Sequence, residues 1–422
     1  MNSNHRNDSL IPVFFCFLAA NFDVMRKTLL FFLCVFGLTS CVDMLWDSLG
    51  KMRSQVLGPG SLGRTGETDA IEPDVPPGCD TLLLLCGVQV PPGYDWQKDT
   101  AIGLAQGKVV LYRDMKQVLS FPTGYNENVS TDPDTHHLID GHLYTEFSSS
   151  SRTVIKKDGK MLFEYEGREY LDGLLVRDGD VYTLGSRRSG YGFTCRRNGE
   201  IILDSPGGFV FGSFRESTYP ETGGLYLDEG KICFSYRDGR TGSTACVFRE
   251  GLQSMVNAGD GVRLEDVRIN NGEITGVGIN SAGKACINRN GRISVLDSDF
   301  LWDSCRLVFV GADVFISGCA SDSSGIRRRT VIVDAGDGSV KEEKEGEKRV
   351  LCDGGKFWLE PMEYAGYYCF SKSCLCSFGD DRYKALTPKN GCCPVLVKNG
   401  ITQEIEMNGY LTGVEVAVIP TT

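Results

Sequence analysis

The chain has 422 residues, 41% of them hydrophobic, and a formal net charge of −11. That apolar fraction permits a full core, while the acidic balance argues against nucleic acid or an anionic lipid surface as partner, both of which need clustered Lys and Arg. Glycine, at 51 residues, lies well above the usual ~7% and points to many turns.

The first readable element is a basic pair, Arg26-Lys27, followed by an apolar run from Thr28 to Gly37 and then Leu38-Thr39-Ser40-Cys41. The run is far shorter than the ~20 apolar residues of a membrane span. This layout resembles a bacterial lipoprotein signal peptide, with translation starting at Met25 and residues 1–40 forming the signal region. The resemblance implies cleavage before Cys41, lipid on that cysteine, and a protein anchored to the cell envelope, on the outer membrane, facing either the periplasm or the exterior. Removing residues 1–40 takes away three basic and two acidic residues, so the net charge becomes −12.

Residues 41–78 carry Gly58-Pro59-Gly60 and the acidic, proline-bearing Glu72-Pro73-Asp74-Val75-Pro76-Pro77. Such a composition gives a flexible tether with little to bury. The folded body is expected over 79–422. Of 17 cysteines, 14 lie beyond Cys41, an even number that permits disulfides in an oxidising compartment. Cys79 and Cys86, which flank four leucines, are the favoured local pair; buried free thiols acting as small hydrophobes are the other reading for the rest. Cys374-x-Cys376 and Cys392-Cys393 lack zinc-site spacing, so no metal and no cofactor are expected.

From about residue 100 the sequence repeats. A basic residue, then Asn, Asp or Glu, then Gly occurs at Lys157-Asp158-Gly159, Arg197-Asn198-Gly199, Arg249-Glu250-Gly251, Arg289-Asn290-Gly291 and Lys398-Asn399-Gly400. Asn-Gly and Asp-Gly supply the positive φ angles of a two-residue type I′ hairpin. A second signature lies about twenty residues earlier, as in Gly141-His-Leu-Tyr144, Gly179-Asp-Val-Tyr182, Gly272-Glu-Ile-Thr275 and Gly355-Lys-Phe-Trp358. Its third place is always apolar, as one face of a strand requires. Together these predict four-stranded antiparallel units recurring every 40-odd residues: an all-β fold, the β-propeller. Units begin near His137, Leu174, Gly224, Arg263, Cys305 and Lys348, and one more is assembled from Lys108–Phe121 and C-terminal strands such as Tyr410–Ile419. Seven blades are favoured; six or eight are compatible, with Tyr364–Ile405 a place for half a blade more. The basic residue before each turn reads as protection of an outer strand edge.

Asp178-Gly-Asp-Val-Tyr-Thr-Leu-Gly185, followed by Cys195-Arg-Arg-Asn-Gly-Glu-Ile-Ile-Leu203, resembles the repeat of uncharacterised propeller-like bacterial lipoproteins. Val310-Gly-Ala-Asp-Val-Phe-Ile-Ser-Gly318 carries the same pattern. The likeness covers roughly residues 137–405 and rests on turn and core positions, so it implies fold and envelope placement and no ligand.

In such a blade the first-to-second and third-to-fourth turns share one face, and the longer connections share the other. Variable loops on a rigid scaffold are where binding usually lives. The longest, Ser205–Gly224, holds Phe211, Phe214, Arg215 and Tyr219, and beside it stand Arg187, Arg188 and Tyr191. Aromatics beside arginine suit sugar stacking or a protein hot spot; the alternative is that the phenylalanines pack beneath their loop. No catalytic motif emerges. A non-catalytic scaffold for glycan or envelope protein is the leading expectation, ahead of a structural partner in envelope assembly and a glycan-cleaving propeller.

Overall fold

Strand after strand shows one of two exposure patterns. Lys108–Arg113, Arg152–Lys157, Thr244–Arg249 and Ala285–Arg289 each bury four consecutive residues, as strands covered on both faces must. Their partners Lys116–Pro122, Lys160–Glu166, Leu252–Asn257 and Arg292–Val295 are largely exposed. Third strands thus lie sandwiched between neighbouring sheets, and fourth strands form the rim.

The computed structural model describes residues 79–97, 107–123, 135–149, 151–167, 169–187, 192–206, 208–210, 224–238, 244–257, 259, 261–296, 298–310, 312–321, 327–353, 356–390 and 393–420. Cys41, the signal region and the tether lie outside them. The described residues build a β-propeller. Blade 1 takes its inner strand from the C-terminus, Gly409–Pro420, and then Cys79–Gln89, Lys108–Arg113 and Lys116–Pro122. Blade 2 is His136–Ile139, His142–Ser148, Arg152–Lys157 and Lys160–Glu166; blade 3 is Glu169–Arg177, Asp180–Arg187, Phe193–Arg197 and Glu200–Ser205. Blade 4 has a split inner strand, Gly208–Val210 and Tyr226–Asp228, before Lys231–Asp238, Thr244–Arg249 and Leu252–Asn257. Blade 5 is Val262–Asn270, Glu273–Asn280, Ala285–Arg289 and Arg292–Val295. Blade 6 is again split, Leu301–Trp302 and Arg306–Val310, before Asp313–Ser321, Arg328–Asp334 and Val340–Glu345. Blade 7 is Tyr367–Tyr368 with Leu375–Phe378, then Asp381–Pro388, Val395–Lys398 and Ile401–Glu404.

Between blades 6 and 7 stands a lone hairpin, Lys348–Asp353 with Lys356–Pro361. Its Val350, Phe357 and Leu359 pack on Val308, Phe315 and Ile332 of blade 6, and its Glu360 reaches Lys384 of blade 7 at 2.7 Å. The hairpin therefore fills a blade position with two strands. The sequence expectation of a complete unit from Lys348 and a half-blade in Tyr364–Ile405 is reversed: the full blade lies in the later stretch. The cause is that strands after Pro361 pair with one another rather than with the hairpin.

The ring closes as expected, by pairing of the two ends. Asp80 faces Ile419 and Leu85 faces Val414 in one antiparallel register, and the C-terminal strand packs on the inner strands of blades 2 and 7. Cys79 and Cys86 sit at positions one and eight of the same strand. At ~3.3 Å per residue they stand roughly 23 Å apart, far beyond disulfide reach, so the expected local bond is corrected: Cys86 is a buried free thiol against Thr412. Cys195, Cys233, Cys286 and Cys305 are likewise buried and free, small hydrophobes within the blades.

The two signatures prove to be one device. In blade 3, Asn198 at φ 50° and Gly199 at φ 86° turn the third strand into the fourth. The Asn198 side-chain oxygen accepts the Val181 N–H at 2.9 Å while its own N–H reaches the Val181 carbonyl. The same latch joins Asp114 to Leu83, Asp158 to Leu143 and Asn399 to Arg382. One turn thereby fixes the neighbouring turn. The basic residue before it closes a third link: Arg197 Nε lies 2.8 Å from Asp180 and Lys398 Nζ 2.6 Å from Asp381. Arg197, then Asn198, hold the Asp180 carboxyl below the usual carboxylate range. The expectation of edge protection is thus corrected, because these residues end third strands, one strand in from the rim.

Candidate functional site

The latched turns occupy one face of the ring, and the other carries the second-to-third connections and the inter-blade crossings. Of the residues expected to bind there, Arg187 closes a strand, paired with Glu169. Its side chain, and Arg188, Tyr191, Phe211, Phe214, Arg215 and Tyr219, lie outside the described residues. What the structure brings together on this loop face is a second group of the same chemical kind, at the seam where the half-blade meets blades 7 and 1.

Its floor is polar. Arg349 and Glu360 face each other across the half-blade. Glu360, 6% exposed, accepts the Tyr364 hydroxyl at 2.8 Å and the Lys384 ammonium at 2.7 Å, with that ammonium 5.2 Å from the Tyr364 ring centre. Burial first, then the Glu360 carboxylate, pushes the Tyr364 phenol well up. Arg349 turns the other way: Nη1 lies 2.8 Å from Cys369 Sγ and Nη2 3.3 Å from the Cys369 carbonyl.

Its wall is aromatic. Blade 7 begins with Tyr367-Tyr368, leaves the sheet for Cys369–Cys374 and returns at Leu375. Tyr368 pairs with Thr387 but Leu375 pairs with Lys384, so the excursion holds extra residues with no ladder partner. Residues two apart in extended chain point the same way, and here Tyr368 and Phe370 stack at 5.3 Å with planes 18° apart. Trp96, from the blade 1 connection, meets Tyr368 at 6.1 Å, Phe370 at 5.8 Å and Tyr410 at 4.9 Å. Asn408 fixes that connection by donating to the Pro91 and Tyr94 carbonyls, at 2.7 and 3.3 Å. Each such ring pair contributes ~0.5–1.5 kcal/mol beyond area. Tyr368 remains 36% exposed, with the Lys389 ammonium 5.4 Å from its ring centre. A rigid, half-open aromatic surface beside fixed cations can stack an apolar ring face and donate to its oxygens.

The sequence reading missed this group. Its signal was the density of Tyr364, Tyr367, Tyr368 and Phe370. On the opposite face a shallow cavity of about 580 Å³ lies between blades 5 and 6, lined by turn residues including Glu273, Arg289 and Arg292. It has no comparable aromatic wall. Among the described residues no cluster of His, Cys, Asp or Glu is arranged to hold a metal ion, and no helix is long and apolar enough to cross a membrane.

No family model and no curated protein matches the sequence. Among solved structures the chain is similar to a protein from Lactobacillus plantarum, at 11% identity and TM-score 0.37 over 80% of this chain and 99% of that one. It is also similar to the β-propeller domain of the trilobed protease from Pyrococcus furiosus, at 9% identity and TM-score 0.35 over 72% and 88%. A third is the Cps50 (Swd1) β-propeller domain of Myceliophteria thermophila, at 9% identity and TM-score 0.33 over 67% and 85%.

Proposed function

We propose that this chain is a lipid-anchored, non-catalytic binding scaffold of the cell envelope that engages glycan through its loop face. A propeller is a scaffold in the general sense; the finer reading rests on one observation. One face carries latched turns whose polar groups bond one another, while the other presents the exposed Tyr368 ring backed by the half-buried Trp96 and Phe370. The reading is binding rather than bond breaking because Glu360, the buried carboxylate of the group, is held by Lys384 and Tyr364. The anchor is Cys41, on the strength of its signal-like setting.

Two variants test the two halves separately. Cys41→Ala is expected to move the protein from the membrane to the soluble fraction; unchanged fractionation removes the anchor from the proposal. On arrayed envelope glycans, Trp96→Ala and Tyr368→Ala are each expected to weaken binding about tenfold, the equivalent of one stacking contact of ~1.4 kcal/mol. Lys398→Ala, on the turn face, is expected to leave it intact. Glycan binding unaffected by either aromatic substitution contradicts the site, and retention of a protein instead of any glycan turns the reading to a protein partner.

A further inference from the structure

Within the excursion that opens blade 7, two cysteines converge on one backbone carbonyl beside a cation. Cys374 is fully buried and sits in a tight turn in which its N–H reaches the Ser371 carbonyl at 3.2 Å. Its thiol lies 3.8 Å from the Leu411 carbonyl, and the Cys369 sulfur lies 3.6 Å from the same Ser371 carbonyl that takes the Cys374 N–H. Cys369 is half-buried, and the Arg349 guanidinium lies 2.8 Å from its sulfur while gripping its carbonyl. One sulfur is thus reachable and charge-stabilised, and the second is shielded and adjacent. Cys86 has Thr412 for a neighbour, and burial pushes its thiol up to about 12; Cys195 is likewise pushed up to about 12 by burial.

We propose that Cys369 and Cys374 are a redox-active dithiol, with Cys369 attacking, Cys374 resolving and Arg349 positioning the thiolate, and that its oxidant is a small-molecule disulfide. The Cys369 thiolate attacks one sulfur of the oxidant, forming a mixed disulfide and expelling one thiolate, which takes up a proton. Cys374 then loses its proton and attacks the Cys369 sulfur, expelling the second half of the oxidant. Two protein thiols are oxidised by two electrons, one disulfide is reduced to two thiols, and a Cys369–Cys374 bond is left. The inference does not depend on the ligand proposed above.

The groups facing Cys369 agree with its role as attacker. Donation from Cys374 is the largest influence, burial opposes it, Arg349 supports it and the Glu360 carboxylate opposes it, with the net effect of lowering the thiol to about 7. The Cys374 thiol, by the same hydrogen bond and by burial, is held well above the usual range. Low thiolate character with shielding suits a resolving residue, and an accessible thiolate suits an attacking one.

The test uses the full chain, glutathione disulfide as probe, and mass spectrometry after trypsin, which cuts between the two cysteines at Lys372. Wild type is expected to give a crosslink joining the peptides on either side of Lys372, reversed by reductant and lost in Cys374→Ser. Cys374→Ser is expected to accumulate glutathione on Cys369 instead, and Cys369→Ser to leave Cys374 unmodified. In the reduced protein, alkylation of Cys369 is expected to rise with a midpoint near pH 7, and Arg349→Gln to move that midpoint upward. No crosslink in wild type overturns the proposal. So does a crosslink that persists in Cys374→Ser, or an alkylation midpoint at the ~8.5 of an ordinary thiol.

Discussion

Deleting residues from Tyr410 onward is expected to abolish cooperative folding. The deletion removes the inner strand of blade 1, and with it Leu411, Val414 and Ala417, exposed by 0, 5 and 6%. At ~1.5–3 kcal/mol for each large buried apolar side chain, the direct loss alone rivals the ~5–15 kcal/mol by which whole domains are stable. It also strips the Thr412 hydroxyl from buried His136, 3.0 Å away, and leaves Cys79–Gln89 with an open edge that invites association. The expected outcome by circular dichroism is a broad, non-cooperative melt or insoluble protein. A truncated chain with wild-type melting contradicts closure by the C-terminal strand.

The second large effect is expected at Arg196. Its guanidinium bonds Glu169 twice, at 2.8 and 3.4 Å, and lies 3.9 Å from the Tyr165 ring centre. Arg196 and Glu169 belong to blade 3, Tyr165 to blade 2, and the side chains of the pair are only 10% and 7% exposed. Removing one partner leaves a buried, uncompensated charge, which costs about 3–5 kcal/mol. Arg196→Met should therefore lower the denaturant midpoint sharply. The double variant Glu169→Met with Arg196→Met should recover most of the loss, since apolar replacement of both partners is often neutral. Equal loss in single and double variants would show that the stack on Tyr165, not the ion pair, dominates.

What the sequence made legible was what repeats. Positive φ at Asn198-Gly199, Asn290-Gly291 and Asn399-Gly400 requires particular residues, so those turns stand out in any chain that uses them, and with them the strand order of each blade. Arg249-Glu250-Gly251 shows the limit: Gly251 has positive φ and Glu250 does not, although the spacing is identical. The half-blade was illegible because Lys356–Pro361 carries an ordinary second-strand pattern; whether two more strands follow is decided by what later segments pair with. The seam site was illegible for a related reason. Arg349, Glu360, Cys369 and Lys384 are separated by up to 35 positions and share no motif, and only the missing outer strands bring blade 7 against the hairpin. The side chains of the aromatic and arginine residues expected to bind, between 187 and 219, lie outside the described residues.

That the loop face is the working face is tested most directly by photo-crosslinking on intact cells, with a benzophenone amino acid placed at Tyr368 in one variant and at Asn399 in another. The expected result is an adduct with an envelope glycan or protein from position 368 and none from position 399. Adducts from 399 alone would place the working surface on the latched turns and contradict the account.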